Sequence, residues 1–472
     1  MFAGLTRSRA RRLLYSWRNP VACFLVLLFI WPFRSEAYSV LSHQAIIDAV
    51  WETGLKPLLA KRYPKATEEE LSGAQAYAYG GAIIQDMGYY PQGSHFFSDL
   101  AHYVQSGDFI QNMLHDAGNL NEYAFALGAL AHYAADNEGH RLATNLAVPL
   151  LYPRLKKKFG DQITYEDNPL AHVKTEFGFD VLQVARGRYA PESYHDFIGF
   201  EVSRPVLDRA FRETYGLELK EVLPDEDKAL NSYRRGVSKL IPQATRIAWS
   251  LKEDEIKSDI PDMTRRRFLY NLSRSNFEKE WGKSYDRPSA KDRFLAFLYR
   301  LLPKFGPLRV LQFKNPTPQA EHLFEASFNA TLNRYRILLR EEGEGHLQLK
   351  NDNFDLGEQS GPGRYRLNDE AQAKLLHKLA EQRFNNMPGE LRRELLQFFS
   401  SPDAPYSMRN IPKAWAQVQE DLATLKNMPD SQGGAESGGA PTKPGNDGKA
   451  GSLQGSLFEA SMGSKQKNHS AP

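Results

Sequence analysis

From Tyr38 to about residue 250, apolar positions recur every three or four residues, the period of helices that bury one face. Thr67-Glu68-Glu69-Glu70 has the form of a capping box and predicts a helix running to about Ile84. Asn121–His140 is rich in Ala and Leu at helical spacing, and Pro205–Tyr215 and Leu230–Leu251 read the same way. Pro205 suits a first helical turn, where its missing N–H costs nothing. Residues 251–345 keep the helical period but are more basic and aromatic. The pattern changes over 346–367, where polar and apolar residues alternate on both sides of Gly361-Pro362-Gly363, as in a small β-hairpin. Helical segments are predicted again near 369–384, 389–399 and 412–427. The expected fold is therefore all-α: a multi-helix domain over 38–250, a helical extension over 251–345, and a hairpin-plus-helices module over 346–428.

The two ends differ from this body. Residues 7–18 are Arg-rich, Val21–Phe33 is an unbroken apolar run of 13, and Ser35-Glu36-Ala37 places small residues where signal peptidase reads. A spanning helix needs ~20 apolar residues, so 1–37 reads as a signal peptide rather than an anchor. The mature chain is expected to begin at Tyr38, in the periplasm or outside the cell. Residues 429–472 hold nine Gly, seven Ser and four Pro with one aromatic, Phe458; such a segment buries no core and is expected to be disordered. No internal repeat is found.

Composition narrows the class. With 41% hydrophobic and 25% charged residues, the 472-residue chain is globular rather than polytopic or disordered overall. The net charge is +3, but residues 1–37 carry +5, which leaves −2 for the rest. That argues against general electrostatic binding of double-stranded nucleic acid. The one cysteine, Cys23, lies in the leader, so the mature chain has neither disulfides nor thiolate metal sites.

The candidate chemistry is in the histidines. Of twelve, eight fall between residues 43 and 195. His132-Tyr-Ala-Ala-Asp136-Asn-Glu-Gly-His140 repeats at i, i+4 and i+8, which puts three ligand-type side chains on one helix stripe. His172-Val-Lys-Thr-Glu176 repeats the i, i+4 spacing. Upstream stand Asp86, Ser94-His95-Phe96-Phe97, and Tyr38 with His43. Imidazole and carboxylate without thiolate suit catalytic zinc. Eight such side chains exceed one tetrahedral ion and fit two or three, with carboxylates able to bridge. His102, His115 and His195 read as packed or exposed histidines, Tyr89 and Tyr90 as packing aromatics, and Asp99 as a helix cap or an outer partner.

These residues in this order resemble the zinc-dependent phospholipase C family, whose superfamily includes single-strand-specific zinc nucleases. The resemblance covers about residues 38–180. It implies an all-α fold with three zinc ions in one cleft. Asp86, His95, His132 and Asp136 would hold one ion, and His140, His172 and Glu176 a second, more open one. His43, bridging Asp136 and the free amine and carbonyl of Tyr38 would hold the third. Two features depart from the best-known members. The first mature residue is Tyr rather than Trp, and Asp136 and His140 are four residues apart rather than six, a spacing similar to the zinc domain of glycosylphosphatidylinositol-specific phospholipase D.

The implied activity is an exported zinc phosphodiesterase in which zinc-derived hydroxide attacks phosphorus, with Asp86 orienting or deprotonating the water. Phospholipid is the expected substrate, cleaved in the C or D manner. The alternatives are a single-strand nuclease of the same superfamily and a non-catalytic metal-binding envelope protein. The basic, apolar stretch Lys291–Lys314 reads either as a peripheral membrane contact or as a buried helical hairpin turning at Pro303 and Gly306-Pro307.

Overall fold

The computed structural model describes residues 40–90, 92–186, 200–223, 225–235, 251–258, 260, 310–401, 405 and 412–428. Tyr38, the leader, the Gly/Ser/Pro-rich tail, His195 and residues 291–309 of the basic stretch lie outside the described residues. The helices that carry the argument are α1 (Val40–Val50), α2 (Glu68–Gly81), α3 (His95–Tyr103), α4 (Ser106–Asp116), α5 (Leu120–Gly139), α6 (Pro169–Arg186), α7 (Arg204–Tyr215), α8 (Pro318–Glu344) and α9 (Arg366–Glu381). The capping box closes as expected: Thr67 Oγ1 accepts the Glu70 N–H at 3.2 Å, and Glu70 accepts the Thr67 N–H at 2.8 Å.

Helix α5 is the centre of the fold. Asn119 Oδ1 caps it by accepting from the N–H groups of Asn121 and Glu122. Its residues from Glu122 to Asn137 are all buried, the state of a helix surrounded on every side. Helices α1, α2, α4 and α8 pack around it. Tyr335 of α8 donates to the Leu127 carbonyl at 2.8 Å, and Tyr123 of α5 to Glu342 at 2.9 Å.

The contact of α2 with α5 is backbone against backbone. A Cβ at Gly81 would lie 1.9 Å from the Phe125 carbonyl oxygen, and one at Gly128 would lie 2.1 Å from the Ala78 carbonyl oxygen. This approach brings the Ala82 carbonyl, just past α2, to 2.9 Å from His132 Nδ1. Gly128→Ala is therefore expected to push the helices apart. The cost should be about 1–3 kcal/mol, as for other overpacked cores, and His132 should lose its orienting bond. Thermal unfolding of metal-free protein checks the first effect and metal titration the second; an unchanged Tm and affinity would show that the helices adjust freely.

The segment 346–367 corrects the expected hairpin. Among the described residues it contains no paired strands, only a single antiparallel bridge between Asn353 and Glu358. Its polar groups are used elsewhere. Asn351 Oδ1 accepts the N–H groups of Gly107 and Asp108, at the start of α4. Leu349 N–H donates to Gln111, and Phe354 N–H to the His102 carbonyl. Asn353 Oδ1 turns the chain by accepting from Asp355 and Leu356. Gly357 has φ +69°, and its Cα packs where a Cβ would meet Arg141 Cδ at 2.4 Å. A second strand would have to give up these bonds. Among the described residues no helix is long and apolar enough to cross a membrane.

Candidate metal centre

Three buried groups of donors meet around α5: His43–His132–Asp136, Asp86–His102–His132 and His140–His172–Glu176. Asp136 sits between them. Its Oδ1 is 3.5 Å from His43 Nε2, and its Oδ2 is 3.1 Å from His132 Nε2, 3.5 Å from His102 Nε2 and 3.7 Å from His140 Nε2. Residues His132, Asp136 and His140 share one stripe, and the backbone changes from α to π winding at His140. Such single-turn π segments are frequent at functional sites.

Each histidine of the second group has its outward nitrogen tied to backbone. His132 Nδ1 faces the Ala82 carbonyl, and His102 Nδ1 faces the Ser98 carbonyl at 2.7 Å. A carbonyl only accepts, so both Nδ1 atoms carry the proton and both Nε2 atoms present a lone pair to the site, the orientation metal-binding histidines need. Ser98 is itself fixed by donating to the Gln85 carbonyl and accepting from Gly88 N–H. His43 stacks on His132 at 4.5 Å between ring centroids. Helix α6 extends its own stripe one step: His172, Glu176 and Asp180. Asp180, fully buried, accepts from Leu41 N–H at 3.0 Å and Ser42 Oγ at 2.7 Å, which fixes the start of α1 next to His43.

The donors fit a metal. Asp136 is fully buried, yet neither of its oxygens accepts a hydrogen bond, and the same holds for Asp86 Oδ1. A buried carboxylate needs a cation beside it; protonated histidine supplies that charge in metal-free protein, and a metal would supply it in its place. Imidazoles and carboxylates with no thiolate are a zinc-type donor set.

Electrostatics divides the histidines. Burial, reinforced by neighbouring histidines, lowers His43 to about 4 and His172 to about 3, so both are neutral at pH 7. Burial also opposes charge on His140, but Asp355 and Asp136 outweigh it and hold its pKa well above the ordinary histidine value. His132 is raised in the same way, against burial, by Asp136 and Asp86. His140 therefore keeps a proton in metal-free protein at pH 7 and must give it up to a metal. Metal binding at pH 7 is expected to release protons, in amounts that fall as pH rises through the elevated pKa. Calorimetric titration in buffers of different ionisation enthalpy measures this; zero release at pH 7 would show His140 already neutral.

The structure brings together His43, Asp86, His132, Asp136, His140, His172 and Glu176. It places His95 outside the three groups, packed edge-on against Tyr89 at 5.4 Å. The position next to Asp86 and His132 is taken by His102, where the sequence predicts a packed histidine. The signal was present: His95 and His102 are two turns apart on one helix, hence on the same face, and either can be the inward one. His115 is exposed, beside Asp116 at 3.2 Å, and Tyr89 and Tyr90 are packed as expected. A carboxylate that no motif marked also reaches the centre: Asp355, on the segment read as a hairpin, lies 2.9 Å from His140 Nδ1.

Residues 42–224 match the family model of zinc dependent phospholipase C. No curated protein and no solved structure gives a significant match to the chain. All eight donors of the three groups lie within the matched range, so residues 42–224 form a zinc-dependent phospholipase C domain.

Proposed function

We propose that this protein is an exported zinc phosphodiesterase that hydrolyses phospholipids. The observation that carries the reading is Asp136, a buried carboxylate within 4 Å of a donor from each of the three groups, inside a domain of that family. Zinc held at these groups supplies a water of lowered pKa and positive charge for the phosphoryl oxygens. Asp136 is the residue that would hold ions of neighbouring groups in common. Asp86, buried and with Oδ1 directed at His102 Nε2 from 3.5 Å, is the residue we assign to orienting the attacking water and taking its proton. His102 and His132 hold their places through backbone carbonyls, so the centre need not reorganise during the reaction.

A panel of phospholipids with different head groups, single-stranded DNA and single-stranded RNA, given to metal-loaded protein with product identification, tests the reading. Phosphorylated head group or phosphatidic acid as product supports it and separates C from D cleavage. Turnover of nucleic acid alone would replace it with the nuclease, and no turnover of any substrate would leave a metal-binding protein.

Export and cleavage before Tyr38 belong to the same proposal. The Arg-rich and apolar leader supports it, as does the anchoring of Leu41 and Ser42 by Asp180 beside His43. A free amine at Tyr38 would be a ligand, whereas an amide nitrogen, its lone pair delocalised, would not. Protein starting at Tyr38 should hold about one metal more than protein with one extra residue before it. Equal metal content in the two would remove Tyr38 from the centre.

A further inference from the structure

The segment 351–358 lies outside the residues that match the family, yet it is built into the centre. Phe354 is fully buried, with its ring 5.3 Å from that of His102 and 5.4 Å from that of Tyr133. Asn145 donates to the Asp355 carbonyl at 2.8 Å. The Asp355 side chain is fixed on one side only. Oδ2 accepts from Tyr165 N–H at 2.8 Å and from Tyr365 Oη–H at 2.8 Å. Oδ1 is buried and accepts no hydrogen bond. It lies 2.9 Å from His140 Nδ1, an atom whose bonding direction runs to His172 Nε2, also at 2.9 Å. His172 Nε2 is in turn 3.1 Å from Glu176 Oε1.

An acceptor that merely oriented His140 from behind would lie along its N–H direction. Asp355 Oδ1 is instead beside that direction, 2.9 Å from the same His140 atom that faces His172. Donors around tetrahedral zinc, with bonds of ~2.0–2.2 Å, are separated by roughly 3.3–3.6 Å, and the successive pairs Asp355–His140, His140–His172 and His172–Glu176 are 2.9, 2.9 and 3.1 Å apart.

We propose that Asp355 Oδ1 is a fourth protein donor to the metal held by His140, His172 and Glu176, contributed by a segment that the family domain does not contain. The inference rests on the reading of the three groups as metal sites. With four protein donors this site is closed, and the open coordination position that chemistry requires then belongs to the two groups that share His132. Tyr165 and Tyr365 are positioning residues, because they hold the other carboxylate oxygen.

Asp355→Asn tests this, since the amide oxygen can still accept from Tyr165 and Tyr365 while its NH2 replaces the donor. Full-length wild-type, Asp355→Asn, Tyr365→Phe and His172→Ala proteins are titrated with Zn2+, and with Co2+ followed by visible absorption. Asp355→Asn should weaken one site more than 100-fold and change its cobalt spectrum, while the remaining sites keep their stoichiometry and so report an intact fold. Tyr365→Phe should weaken the same site less than 10-fold with the spectrum kept. An Asp355→Asn protein with wild-type cobalt spectrum and affinity within 10-fold, where His172→Ala loses one metal, would overturn the fourth donor and leave the metal centre standing. Wild-type protein that binds no metal would overturn the centre itself.

Discussion

Asp136→Asn is expected to lose more than one equivalent of zinc and to be almost inactive. His43, His102, His132 and His140 each place a nitrogen 3.1–3.7 Å from one of the Asp136 oxygens. A carboxylate can give one oxygen to each of two ions, whereas an amide offers one weakly basic oxygen and turns an NH2 group on the other. Burial works against charge on Asp136, but His132 and the neighbouring histidines hold its carboxyl well below the usual range, so it is ionised at any pH of interest. Elemental analysis of dialysed protein should show the loss, with activity down by at least about 1,000-fold, since both attack and charge stabilisation depend on the bridged ions. Chelation of the wild-type protein should also lower its Tm, because metal binds only the folded chain. A loss of one equivalent or less would mean that the ions have separate carboxylates.

The second large effect separates His102 from His95. His102→Ala should cost one metal and more than about 100-fold in activity, exceeding what loss of an outer partner of a ligand costs. Its Nε2 is 3.2 Å from His132 Nε2 and 3.5 Å from Asp86 Oδ1. His95→Ala should keep all its metal and lose only the contact with Tyr89. The same dialysis and assay decide; the reverse pattern would restore the histidine that the Ser-His-Phe motif singled out.

That pair shows what a sequence can carry. Spacing within one helix was readable: His132, Asp136 and His140 are kept on a stripe by helical geometry alone, as are His172 and Glu176. The all-α class and most helices followed from apolar periodicity, and the Thr67 box marked the start of α2. Which of two histidines on the same face of α3 points inward depends on how that helix is seated against α4, α9 and residues 84–89, and nothing local records that. Asp355 was invisible for another reason. It has no histidine at helical spacing, and its surroundings alternate like a strand because Phe354 and Leu349 are buried between polar residues that cap α4. Alternation reports burial on one side, which a turn pressed into a groove satisfies as well as a strand.

The seating of residues 351–358 against α4 and α5 also sets an order of events. Asn145 and Asp355, which bond to each other, are 210 residues apart in the chain. At the ~5–20 residues per second of synthesis, the first is made about 10–40 s before the second. During that interval α5 and α6 can form and pack, but the wall that Phe354 and Asp355 supply does not yet exist. Until then the histidines and carboxylates of the centre are only partly enclosed. Enclosure of the centre therefore waits for the last part of the body, an order set by the distance between two residues rather than by either of them.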